Sequence, residues 1–308
     1  MTPKVALITG GASGMGLAVA KALSALPNWD IHILDINTSR GQKEASTLPN
    51  TTFHHADVTK YSTLAEAFQK CYSTHKKLDF VFANAGMIER FNFYDSCPMR
   101  TGTDDPVAPP PEPDLLSIDT DLKGIVLTTY LAQHYFLASP TNGAGASLVM
   151  TASCGGLYPS YYSPLYSSAK FGVVGFMRSI AQHFAARGTR VNAICPGIVR
   201  TDLVDRWDAF PQHRFTEMES VVRVVLQLAG EAEGETDNES ENPPAGAAGG
   251  MTDSQGTHLP RERLFGQAVE ISDSGVYFRD QHAFCDEGMR EVMAATVLEN
   301  QVGAILNQ

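Results

Sequence analysis

Residues 5–23 run from an apolar segment through Thr9-Gly10-Gly11-Ala12-Ser13-Gly14-Met15-Gly16 into a helical stretch, Leu17-Ala18-Val19-Ala20-Lys21-Ala22-Leu23. A glycine-rich turn therefore joins a strand to a helix. Glycine there lets the backbone bend tightly and approach a ligand closely, and the first helical amides face that ligand with the positive end of the helix dipole. A pyrophosphate suits such a turn. Asp35 ends the next strand-like run nineteen residues after Gly16. A carboxylate at that place accepts hydrogen bonds from both ribose hydroxyls and repels a 2′-phosphate. No Arg or Lys stands at Ser13, Ile36 or Asn37 to pair with such a phosphate, so NAD is expected over NADP.

The rest of the chain repeats the same alternation. Short apolar runs at 5–9, 31–35, 52–55, 80–84, 147–151, 191–195 and 268–271 read as strands, and segments of helical period at 16–26, 62–75, 115–138, 164–186 and 216–230 lie between them. Right-handed crossovers then give an α/β, Rossmann-like doubly wound fold, with a mainly parallel seven-stranded sheet and helices on both faces. Two stretches interrupt it. Residues 96–114 hold Pro98, Pro106, Pro109, Pro110, Pro111 and Pro113, which forbid a helix there. Residues 230–260 pack Glu231, Glu233, Glu235, Asp237, Glu239 and Glu241 ahead of a Pro/Gly/Ala run, which predicts a mobile surface loop. The whole chain, 1–308, is expected to be one catalytic domain with these two insertions and a C-terminal extension at 272–308, in which 289–306 has helical period.

A formal net charge of −11 argues against a nucleic-acid or anionic-membrane partner. Five scattered cysteines without a CxxC predict neither a disulfide framework nor a zinc site, and the sequence shows no signal peptide or membrane span. A cytoplasmic protein acting on a small molecule is the expectation.

Five patches then agree in order and spacing: the turn Thr9–Gly16, Asn84-Ala85-Gly86, Ser153, Tyr166-Ser167-Ser168-Ala169-Lys170, and Pro196-Gly197-Ile198-Val199-Arg200-Thr201. Together they resemble the short-chain dehydrogenase/reductases, over about residues 4–203 and the strand near 268–271. Fungal and animal members that act on hydroxyl or keto groups of lipids, steroids, prostaglandins or secondary metabolites look most similar. The resemblance implies a cofactor site of Gly10, Ser13, Gly14, Met15, Gly16, Asp35 and Ile36, with Asp57 and Val58 flanking the adenine. It adds Asn84, Ala85 and Gly86 beside the cofactor, and Pro196, Gly197, Val199 and Thr201 toward the nicotinamide carboxamide, together with Tyr166 and Lys170. It also implies a homodimer or homotetramer packed through the long helices.

The chemistry follows from the residue types. An ordinary Tyr is a poor base at neutral pH, but Tyr166 and Lys170 lie one helical turn apart, so the ammonium should favour the phenolate. Ser153 follows a strand and can donate to an oxygen that gains negative charge. The expected reaction is reversible hydride transfer between NAD(H) and a secondary alcohol or ketone of a small, hydrophobic metabolite, with Tyr166 as acid–base. One position departs from the family: Asp121 of Asp121-Leu122-Lys123-Gly124 stands where the resemblance implies a catalytic Asn. That oddity motivates the alternative of non-redox chemistry such as dehydration, isomerisation or cyclisation. A non-catalytic NAD-binding regulator is the other alternative, disfavoured by the retained Ser153, Tyr166 and Lys170.

Overall fold

The computed structural model describes residues 2–90, 92–94, 110–203, 207–231 and 250–297. It divides into two compact units, Met1–Phe278 and Arg279–Gln308.

The first unit is built on β1 (Lys4–Thr9), β2 (Trp29–Asp35), β3 (Thr51–His55), β4 (Phe80–Ala83), β5 (Ser147–Thr151), β6 (Arg190–Pro196), β9 (Ala268–Ile271) and β10 (Val276–Arg279). They form one sheet in the order β10-β9-β6-β5-β4-β1-β2-β3, and every pairing from β3 through β9 is parallel. The sheet thus has eight strands where the sequence predicts seven. The extra one, β10, returns beside β9 after a turn closed by the Ser272 amide on the Gly275 carbonyl, and of its four residues only Val276 is buried. The order reverses between β1 and β4, and open α/β sheets bind ligands outside the strand carboxyl ends at such a point.

Consecutive strand residues point to opposite faces, and here both faces are buried. Val5, Leu7, Val81, Ala83, Leu148, Met150, Val191 and Ala193 belong to one core cluster, while Ala6, Ile8, Phe80, Phe82, Val149 and Ile194 belong to the other. The first face is covered by α3 (Tyr61–His75), α5 (Gly124–Ala138) and α6 (Pro164–Ala185), the second by α1 (Gly14–Ser24) and α7 (Met218–Ala229).

Four differences from the sequence reading have physical reasons. A helix α2 (Thr38–Thr47) was not foreseen, because its only buried residue is Gly41, over which the Phe53 ring lies. Its start is fixed by the Asn37 side chain, which accepts the Arg40 amide at 3.0 Å. The single helix expected over 115–138 is instead α4 (Leu116–Ile118), a π-helical turn Asp119–Lys123, and α5; the Gly124 amide reaches back five residues to the Asp119 carbonyl. Within 230–260, the expectation of one mobile loop gives way to the antiparallel hairpin β7 (Gly250–Thr252) and β8 (His258–Pro260), and the acidic stretch beyond Glu231 lies outside the described residues, as do residues 95–109 of the Pro-rich insertion. In the second unit, α8 (Glu287–Ala294) starts where the Asp286 side chain accepts the Met289 amide at 2.7 Å, two residues ahead of the expected helix. No described helix is long and apolar enough to cross a membrane.

Candidate active site

The glycine turn leaves β1 with Gly10 at φ 65° and enters α1 with Gly14 at φ 52°, left-handed conformations that disfavour a side chain. Gly16 is constrained differently: a Cβ there would lie 2.3 Å from the Gly10 carbonyl oxygen and 2.7 Å from Asn84 Nδ2. Asp35 braces the same turn, its Oδ2 accepting the Ala12 amide at 3.1 Å and its Oδ1 the Asn37 amide at 2.9 Å. Ser13 sits at the N-cap of α1 without a side-chain capping bond, Met15 is half-buried against the core, and Ile36 is exposed.

Asn84 is a clamp between strands. Its Nδ2 donates to the Thr9 carbonyl at 3.1 Å and its Oδ1 accepts the Thr151 hydroxyl at 3.1 Å, while Thr9 Oγ1 accepts the amides of Asn84 (2.9 Å) and Ala85 (3.1 Å). Both side-chain ends of Asn84 are thus taken by β1 and β5. At the β3 exit, Asp57 Oδ1 accepts the Thr59 amide and hydroxyl at 2.9 and 2.7 Å, and Val58 packs on Gly124. At the β6 exit, the Gly197 amide donates to the Ile271 carbonyl at 2.8 Å, after the buried Pro196; Val199 is buried and bridges to Thr216. Thr201 Cγ2 comes within 3.3 Å of where a Gly14 Cβ would sit, so this loop lies against the dinucleotide turn.

The proton-handling residues meet where β4, β5, the π turn and α6 converge. Lys170 is 2% exposed, and its Nζ donates to the Thr151 carbonyl at 3.0 Å and lies 3.6 Å from Asp121 Oδ2. Asp121 is fully buried in the π turn; its Oδ1 accepts the Met87 amide at 2.7 Å and its Oδ2 has no hydrogen bond beyond that ion pair. Burial raises the Asp121 pKa against the pull of Lys170 and the Met87 amide. The Lys170 ammonium stands 5.4 Å from the Tyr166 ring centre, and the Ser153 hydroxyl near the phenol favours its deprotonated form. Ser153 also caps a short helical turn, Cys154–Gly156, by accepting the Gly155 amide at 3.1 Å.

One expectation needs correction. Lys170 and Ser153 do pull the Tyr166 pKa down, but burial outweighs them and leaves it above its ordinary value, with Asp121 and Cys154 pushing the same way. The sequence supplies the lysine; it does not supply the depth at which the phenol sits.

Sequence reasoning also passed over two residues. A Cβ on Gly155 would come 3.3 Å from Tyr166 Cε1 and 3.5 Å from Ser153 Oγ, so a side chain there would crowd both. Glu89 Oε2 accepts the amides of Leu165 (2.9 Å) and Tyr166 (3.1 Å), a contact across 76 and 77 residues that no local pattern signals.

Residues 4–212 match the family described as short chain dehydrogenase. The chain belongs to that family. Among relatives of this short-chain dehydrogenase/reductase, the Penicillium rubens protein named short-chain dehydrogenase/reductase prx7 is 67% identical over 295 residues, spanning 95% of this chain and 100% of that one. The 15-hydroxyprostaglandin dehydrogenase [NAD(+)] of Rattus norvegicus is 25% identical over 291 residues, 91% of this chain and 96% of its own. Among solved structures, the 3-ketoacyl-(acyl-carrier-protein) reductase of Brucella melitensis complexed with NADH superposes with a TM-score of 0.66 at 20% identity, covering 88% of this chain and 98% of that one. Its likeness carries the fold alone.

Proposed function

We propose that this short-chain dehydrogenase/reductase interconverts a secondary alcohol and its ketone on a small, apolar metabolite, using NAD(H) and Tyr166 as the acid–base. The observation that carries the reading is the convergence of Tyr166, Ser153 and Lys170 at the strand carboxyl ends, beside the glycine turn. The turn fits a dinucleotide on its backbone geometry, since Gly10 and Gly14 take left-handed conformations and a Cβ at Gly16 would collide with the Gly10 carbonyl, which keeps the turn tight and its amides at the start of α1 free to face a pyrophosphate. Ser13, Met15, Ile36, Asp57, Val58, Ala85, Gly86, Pro196, Gly197, Val199 and Thr201 complete the proposed binding surface. The bound nicotinamide would supply the hydride or accept it.

Each protein group has a stated task. Tyr166 holds the proton at its phenol oxygen and gives it to the substrate oxygen in the reductive direction. Ser153 steadies that oxygen through its hydroxyl. Lys170 has three N–H donors, of which one is spent on the Thr151 carbonyl and one faces Asp121, so a third remains for a ribose hydroxyl. Asp35 keeps spare acceptor capacity on both oxygens, since each takes a single amide. The nearest downstream cation, Arg40, is already paired with Asp202, which leaves no free guanidinium in α2 for a 2′-phosphate and supports NAD over NADP. The cofactor named for the rat relative supports the same choice. Exposed aromatic rings at the exits of β4 (Phe93, Tyr94), β5 (Tyr158, Tyr161, Tyr162) and β6 (Phe210) support an apolar substrate. A cytoplasmic homodimer or homotetramer is part of the proposal.

The test is a screen of hydroxylated and keto compounds for change in nicotinamide absorbance, run with NADH and NADPH in parallel. Turnover with NADH at least about tenfold above NADPH is expected, the size of one lost charge-assisted contact. A preference for NADPH would overturn the role given to Asp35, and substrate conversion without any change in NADH would favour non-redox chemistry.

A further inference from the structure

Helix α6 begins with an unusual shortage. Its first residue is Pro164, which has no N–H, so the first amides needing an acceptor are those of Leu165 and Tyr166. The residue placed to cap them, Ser163, makes no side-chain capping bond. Glu89 fills the gap from outside the helix: one oxygen takes both amides, at 2.9 and 3.1 Å, and its negative charge meets the positive end of a 22-residue helix. Glu89 is 9% exposed, and its second oxygen is buried with no partner among the described residues. A buried acceptor left unpaired is costly, so the two amide bonds are the visible return on burying this carboxylate.

The segment that carries Glu89 is itself fixed at the other end. Two residues earlier, the Met87 amide donates to Asp121 Oδ1 at 2.7 Å, and Asp121 stands 3.6 Å from Lys170. The exit of β4 is therefore a short strap whose ends hold the two partners of the reactive centre: the π turn with Asp121 on one side, the first turn of α6 with Tyr166 on the other. The Tyr166 ring lies close over Gly155, where a Cβ would come 3.3 Å from its Cε1.

Resting on the acid–base role proposed above for Tyr166, we propose that Glu89 is a positioning residue for Tyr166, bridging the β4 exit to the first turn of α6 so that the phenol is held in line with Ser153. It touches no reacting atom. Its effect belongs on the proton-transfer geometry and not on dinucleotide binding.

Three variants and two measurements test this. In Glu89→Ala the amides of Leu165 and Tyr166 should exchange with deuterium about tenfold faster or more, reflecting a lost cap. The kcat should fall about tenfold to a hundredfold, as for a displaced catalytic group, while KM for NADH stays within about twofold. Glu89→Gln should restore most of both, since its carboxamide oxygen accepts the same amides. Tyr166→Phe serves as the chemical blank. Unchanged exchange in Glu89→Ala, faster exchange with kcat intact, or a Gln variant as impaired as the Ala variant would each overturn the proposal. If the wild type itself turns over no NADH, the hydride reading fails, and the exchange of the two amides still decides whether Glu89 holds the helix start.

Discussion

Tyr166 sits where its surroundings keep the proton on. Burial raises its pKa most, and Asp121 and Cys154 add to that, so at neutral pH the phenol is an acid ready for ketone reduction, while alcohol oxidation needs it deprotonated. Asp121→Asn removes one of the groups that raise the Tyr166 pKa. The limb on which oxidation rises with pH, as Tyr166 loses its proton, is therefore expected to move to lower pH. Turnover should stay within about tenfold, or about 1.4 kcal/mol, because an Asn oxygen still accepts the Met87 amide. A limb that moves to higher pH, or a loss beyond about a hundredfold, would show that the Asp121 carboxylate has a task of its own. Ser153, Tyr166 and Lys170 were legible in the sequence because their spacing is local and their chemistry is specific to their type. Glu89 was not, since its partners lie 76 and 77 residues away and are backbone amides with no residue identity to read.

Elements were legible in proportion to the apolar surface they bury. Six of the seven parallel strands, β1, β2, β4, β5, β6 and β9, stand out because each is sunk in the core on both faces, whereas α2 buries only a glycine and leaves no periodic stripe. The π turn at Asp119–Lys123 was equally hidden, since one extra residue in a helix changes a hydrogen-bond ladder without changing composition. At the turn between β1 and α1, Gly16→Ala places a methyl group 2.3 Å from the Gly10 carbonyl oxygen, and NADH affinity by fluorescence titration should weaken at least about tenfold. Unchanged affinity would count against the turn as the pyrophosphate cradle.

The β2–β3–α3 corner carries a further expectation. His32 Nδ1 and Nε2 lie 2.8 Å from the ring nitrogens of His54 and His75, and His75 lies 3.6 Å from Asp30. Burial first, then His54 and His75, hold the His32 pKa down at about 3. In the unfolded chain His32 takes up its proton near 6.5, so folding stability from this group is full above that pH and is lost as pH falls from 6.5 toward 3. The slope from His32 alone is about 1.4 kcal/mol per pH unit. Denaturant unfolding at a series of pH values should show it, and His32→Gln should flatten it; an equal slope in the variant would contradict the account.

For the whole molecule, the doubly wound order follows from the alternation of strands and helices together with the handedness of crossovers, and that much was readable in advance. The eighth strand, the β7–β8 hairpin and the early start of α8 were not: β10 buries only Val276, the hairpin pairs three residues per strand, and the start of α8 rests on the single Asp286 cap. The proposed assembly draws on exposed apolar side chains of α5 and α6, Tyr130 and Phe171. Light scattering should give a mass two or four times 33.3 kDa, and Phe171→Glu should lower it; a monomer at micromolar concentration would refute the oligomer. The central claim is that Tyr166 moves the proton that accompanies hydride transfer, and its most direct test compares wild type with Tyr166→Phe at saturating NADH on a ketone the enzyme reduces. The wild type should consume one NADH per ketone reduced, while the variant still binds NADH and turns over about a thousandfold more slowly. A Tyr166→Phe enzyme that reduces the ketone at the wild-type rate would contradict the account.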